Sequence, residues 1–162
     1  MNIFILDYDM EKNVEYYVDS HVVKQILESS QMLCTCHHYL IDKGLSSLNH
    51  YDVPYKKTHI NHPCNKWVRE SLQNYKYLNS LAFQMVEEYD YRYNKTHKCL
   101  EVLKWARDNV PRLEENGVTK AALAMDEKYR KDDVVESYRD YYRYEKRHLF
   151  KWKNREMPYW LR

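Results

Sequence analysis

A length of 162 residues is enough to bury one sizeable core without staples, so one domain over 1–162 is the expectation. Hydrophobic residues at 44% supply that core and charged residues at 31% a solvated surface; 26 Lys plus Arg against 24 Asp plus Glu exclude a generally basic nucleic-acid binder, leaving only a local site. Two glycines and four prolines are too few turn residues for a β-rich chain, which points to a mainly α single-domain helical bundle.

In chain order, Ile3, Phe4, Ile5 and Leu6 predict a short buried strand or extended segment over 2–6, with Asp7 and Asp9 as caps for the first helix. A helical pattern covers about 12–43, broken near Asp19-Ser20, where either residue caps a second helix starting at His21, and Gly44 ends it. At 100° per residue Val22, Val23, Ile26, Leu27, Leu33, Cys34, Leu40 and Ile41 share an apolar face, opposite a polar stripe of His21, Lys24, Glu28, Gln31 and Thr35. Residues 45–63 read as irregular. Further helices are predicted over about 64–91, 95–109, 120–129 and 133–152, with Asn74 at the edge of a wide apolar face in the first of these. The N-terminal apolar stretch is too short and too early for a signal peptide, and no run reaches the length of a membrane helix.

Eight histidines and four cysteines invite a metal reading, through Cys34-Thr35-Cys36-His37-His38 and His59-x-x-His62-x-Cys64. The spacing argues against it, because Cys34 and Cys36 on one helix point roughly 160° apart and cannot close on one ion. No metal or other cofactor is therefore expected, and the cysteines read as reduced thiols. With two glycines there is no phosphate-binding loop and no dinucleotide fingerprint, and G-x-S-x-G is missing too.

His21, Lys24 and Glu28 at i, i+3 and i+7 bring an acid, a base and a cation onto one helix face, suited to proton transfer beside an anion. The competing reading is an ordinary solvated face with a Lys24–Glu28 pair worth about 0.3 to 0.5 kcal/mol. Three donor clusters suggest a phosphate-bearing ligand. One, His59 to Ser71, packs donors that include His62 and Arg69 around a predicted helix start; the second, Tyr91 to Lys98, interleaves aromatics with Arg92, His97 and Lys98; the third runs over 146–155. Each also arises on ordinary amphipathic surfaces.

The residues Asn2 to Asp7, His21-Val22-Val23-Lys24 with Glu28 and Gln31, Asn61-His62-Pro63, Trp67, Arg69, Ser71, Asn74-Tyr75 and Arg92-Tyr93 through Lys98 resemble a family of small phage and large-virus proteins of no assigned activity, through the whole chain. The short N-terminal segment, a first helix bearing a carboxylate and a Pro-led second helix also resemble the pyrimidine-dimer DNA glycosylases, small helical viral repair enzymes. That resemblance implies a nucleophilic amine on the chain's first residue, assisted by a glutamate for which Glu28 is the match. In that family the amine follows removal of the initiator methionine ahead of a small residue, whereas Asn2 here is expected to leave Met1 in place.

The leading expectation is a viral enzyme acting on DNA bases or nucleotides in the cytoplasm of an infected host cell, possessing DNA-glycosylase-like chemistry. Glu28 then serves as acid or carboxylate stabiliser, His21 as proton shuttle and Lys24 as anion contact or amine nucleophile, with His62, Arg69, Asn74, Arg92, His97 and Lys98 as ligand contacts. The alternatives are a protein that binds and sequesters a nucleotide or host factor without turnover, and a purely structural module. DNA or a nucleotide is the expected ligand, a host protein a further partner, and no membrane is involved.

Overall fold

The apolar run at the N-terminus is buried on every side, with Ile3, Phe4, Ile5 and Leu6 all at 5% exposure or less. The structure, a computed structural model, describes residues 1–162 as six α-helices, four short 3₁₀ turns and no strand. The run is thus extended but pairs with no neighbouring strand. Asn13 satisfies its backbone instead, accepting from the Leu6 amide at 2.6 Å and donating to the Phe4 carbonyl at 3.2 Å.

Helix α1 (Met10–Glu15) starts at Asp9, whose carboxylate accepts from the Lys12 amide at 3.0 Å. Helix α2 (Asp19–Asp42) comes next, and Gly44 at φ +68° closes it where a residue with a Cβ would be strained. Its start differs from expectation, because neither Asp19 nor Ser20 caps it through a side chain. The C-terminal segment and the Tyr142 side chain take that role: the Asp19 amide donates to the Lys151 carbonyl at 2.8 Å, and the Val18 amide reaches the Tyr142 hydroxyl at 3.4 Å.

The single helix expected over 64–91 is two, α3 (Pro63–Val68) and α4 (Leu72–Tyr93). Ser71 breaks it by capping α4, its Oγ accepting from the Asn74 amide at 3.0 Å. Helix α5 (Leu100–Asp108) is shorter than the predicted 95–109, since His97 Nδ1 accepts the Cys99 amide at 3.2 Å and shapes a turn ahead of it. No helix forms over 120–129; residues 110–124 have no regular structure, and only Glu127–Tyr129 makes a 3₁₀ turn. This strap finds its partners on α3 and α4. The Leu72 amide donates to the Glu114 carbonyl at 2.9 Å, Ser71 Oγ to the Gly117 carbonyl at 2.7 Å, and Thr119 exchanges two bonds with the Asn74 side chain. Helix α6 (Val134–Glu145), capped by Asp133, stops well before Trp152, and the chain then wraps back over the start of α2.

Helices α2 and α4 form the central pair, with Ile26, Leu33, Leu78, Leu81 and Met85 at 1% exposure or less. Burial of each such side chain stabilises the fold by about 1.5 to 3 kcal/mol relative to exposure. The buried face of α2 is turned from the predicted one: Val23 and Leu27 are 38% and 39% exposed, whereas His21, Gln25 and Glu28 are buried. The N-terminal segment and α6 cover that side, so the expected solvated stripe becomes the wall of an interior polar site.

Candidate active site

Glu28 sits in the middle of α2 with a side-chain exposure of 9%. Its two oxygens face different partners. Oε2 lies 3.6 Å from the Met1 α-amine and accepts the Asn2 amide at 3.2 Å, while Oε1 is 3.5 Å from Lys24 Nζ. Lys24 remains two-thirds exposed, so of the predicted trio it alone faces solvent. The reading of an ordinary solvated pair fails for Glu28, a buried carboxylate held between two cations and a backbone amide.

The amine is placed by the residues on either side of it. Asn65 Nδ2, on α3, approaches the Met1 thioether at 3.2 Å. Asn2 is buried, and its side chain joins three parts of the chain. Nδ2 donates to the Ala124 carbonyl at 2.9 Å, and Oδ1 accepts from the Ile3 amide at 2.9 Å and lies 2.8 Å from the Tyr138 hydroxyl. Tyr138 OH is also 2.6 Å from the Ala122 carbonyl, so the strap and α6 together hold the second residue.

His21 and His62 flank this centre. His21 Nδ1 lies 2.6 Å from Tyr142 OH, and its ring stacks on Phe4 at 4.5 Å between centroids. Burial first, then Lys146 and Lys24, push its pKa down to about 3, so the imidazole is neutral. His62, which caps α3, is lowered by burial and by the nearby Met1 amine, with Glu28 opposing. His62 and Pro63 form one wall of an open cleft of about 450 Å³, faced by Ala124, Met125, Asp126 and Tyr141. Ala124 in its wall also accepts the Asn2 side chain, so the cleft adjoins the strap residue that holds the N-terminal segment.

The structure therefore brings together Glu28, His21, Lys24 and His62, and leaves the other predicted contacts elsewhere. Arg92 corrects the expectation of a phosphate contact: its side chain is wholly buried, bonded to Glu88 at 2.6 Å, Asp19 at 3.0 Å and the Tyr17 and Glu15 carbonyls. Asn74 is likewise internal, pinning the Trp67 carbonyl and Thr119. Arg69 donates to the Ile60 carbonyl at 2.7 Å and covers the Tyr39 ring, about three turns along α2 from Glu28. His97 packs edge-on against Tyr89, and Lys98 is exposed beside it.

Tyr138 and Tyr142 carried no sequence signal of a site role, whereas Asn65 fell within the first donor cluster and Asn2 within the family resemblance. The two tyrosines were among seventeen, and nothing local marks which of them return to the N-terminus.

A buried carboxylate within reach of an α-amine has a specific use: it accepts the proton that the amine sheds on attacking an electrophilic carbon. No curated protein and no solved structure matches the chain. A family model described as pyrimidine dimer DNA glycosylase matches residues 1–101, the stretch that carries Met1, His21, Lys24, Glu28 and His62. With more than half of its length so matched, the chain belongs to the pyrimidine dimer DNA glycosylase family.

Proposed function

We propose that this protein removes damaged bases from DNA, with the Met1 α-amine as nucleophile and Glu28 as its proton acceptor. The observation that carries this reading is the 3.6 Å approach of the amine to Glu28 Oε2 inside a largely buried site. The Met1 ammonium first passes a proton to Glu28; the freed lone pair forms a bond to C1′ of the damaged nucleotide, the bond from C1′ to the base breaks, and the base leaves with the electron pair and takes that proton up. The attacking nitrogen gives its remaining protons up to Glu28 and solvent, the bond from C1′ to the ring oxygen opens with its electron pair going to that oxygen, which takes up a proton, and an imine joins the enzyme to the sugar. Lys24, exposed beside Glu28, draws a backbone phosphate towards the site. A viral setting, implied by the resemblance to phage and large-virus proteins, belongs to the same reading.

Incubation with duplex DNA carrying pyrimidine dimers, followed by borohydride reduction and peptide mapping, is expected to give a covalent adduct on Met1. Glu28→Gln keeps the shape of the side chain but neither ionises nor exchanges a proton, so adduct formation is expected to fall by about 10² or more with the fold intact. An adduct on Lys24 would move the nucleophile, and tight binding of DNA or a nucleotide without any adduct would favour sequestration instead.

A further inference from the structure

Tyr142 lies on α6, beyond the stretch that matches the family, yet its hydroxyl is 2.6 Å from His21 Nδ1. The stacked Phe4 ring, tilted by only 12°, fixes the imidazole plane. Counting protons sets the direction of the contact. The Tyr142 oxygen receives the Val18 amide at 3.4 Å, and the one acceptor within reach of its own hydrogen is His21 Nδ1. Tyr142 therefore donates, Nδ1 accepts, and the single proton of the neutral ring sits on Nε2, which has no partner in the protein.

The groups around that ring favour the same state. Lys24 reaches it from α2, Lys146 and His148 from the segment after α6, and the Met1 amine from the N-terminus, with Glu28 two turns further along α2. Four cationic or protonatable groups oppose a further positive charge on His21, and the same positive field favours an anion near it.

We propose that Tyr142 is a positioning residue, which holds His21 as a neutral Nε2–H donor directed at a phosphate oxygen of the DNA backbone drawn in by Lys24, Lys146 and His148. The proposal rests on the DNA-processing reading above and changes the role of His21 from proton shuttle to fixed donor. A ring whose Nδ1 lone pair is occupied by Tyr142 does not compete for the amine proton, which leaves Glu28 as its acceptor.

The test pairs long-range nitrogen–proton NMR of the histidine rings with kinetics on dimer-bearing DNA. Wild-type His21 is expected to show the Nε2–H tautomer throughout pH 5 to 8, and Tyr142→Phe to mix the tautomers and lower kcat/KM by about tenfold, the usual worth of one hydrogen bond. His21→Gln, whose amide is a neutral donor, is expected to retain clearly more activity than His21→Ala. A wild-type Nδ1–H tautomer, a His21 midpoint between pH 5 and 8, or Tyr142→Phe with unchanged tautomer would each overturn the proposal, as would His21→Gln as inactive as His21→Ala. The NMR readings need no substrate, so a protein that fails to process DNA would sink the proposed function while the tautomer still decides the role of Tyr142.

Discussion

His21 and His37 lie on the same helix, and the fold keeps both uncharged. Burial, then Lys146, lowers His21 to about 3; burial, then His38, lowers His37 to about 4. In the unfolded chain both titrate near 6.5, so between these values the unfolded state binds more protons than the folded one. Their contribution is complete above about pH 6.5 and is lost as the pH falls towards 4 and then 3, at about 1.4 kcal/mol per unit of depressed pKa. Melting temperature is therefore expected to drop from pH 6.5 to 4.5. Tyr75 OH donates to the Ala106 carbonyl at 3.0 Å, so His37 Nε2, 2.9 Å from that hydroxyl, is its donor, and His37→Gln keeps a donor there while removing the titration. That variant is expected to show a shallower decline, and an identical slope would assign the acid sensitivity to other groups. The sequence revealed the shared stripe of His21, Lys24 and Glu28 because helical periodicity is local. It did not reveal that two of the three are buried, since the covering residues come from the N-terminus and from α6, 121 residues after His21 in the case of Tyr142.

The elements show where local propensity was overruled. Residues 120–125, Lys-Ala-Ala-Leu-Ala-Met, favour helix on composition, yet the strap stays extended because its carbonyls and amides bond to α3, α4, α6 and Asn2 rather than to one another. The same override splits the predicted 64–91 helix, where Ser71 caps α4 at the point at which the strap crosses. Helices α2 and α4 were legible because their apolar spacing continues for six turns or more, far beyond what a turn residue obscures. Asn74 is the joint between strap and bundle, with its side chain wholly buried and bonded to the Trp67 carbonyl and to Thr119. Asn74→Ala removes these bonds and strands their partners, so a loss of about 1 to 3 kcal/mol is expected by urea unfolding. Faster amide exchange is expected over 114–124 than over α2, and because Ala122 and Ala124 hold Tyr138 and Asn2, the loosened strap is expected to slow adduct formation as well. Uniform exchange changes across the chain would contradict a local joint.

At the scale of the whole molecule two classes of cation have different roles, and the sequence treated them alike. Arg92 sits where the end of α1, the start of α2, α4 and the C-terminal segment meet. It bonds the Glu15 and Tyr17 carbonyls, Asp19 and Glu88, while Asp19 also accepts the Lys153 amide and Glu88 also pairs with Arg155. Replacing it leaves Asp19 without a cation and Glu88 with Arg155 alone, so Arg92→Met is expected to destabilise the fold by about 3 to 5 kcal/mol, read by urea unfolding. Lys146 stands instead partly exposed over the Tyr141 ring at 4.8 Å, near enough to help lower the His21 pKa. With a formal net charge of only +2, attraction to DNA depends on a few such local cations rather than on the overall field. Lys146→Ala is therefore expected to reduce the slope of log affinity against log salt by about 1 while changing stability by only a few tenths of a kcal/mol. Arg92→Met, measured at a temperature where it is folded, is expected to keep the wild-type slope. A reduced slope for Arg92→Met with an unchanged one for Lys146→Ala would reverse the assignment, placing the DNA backbone over the carboxylate cage instead of beside His21.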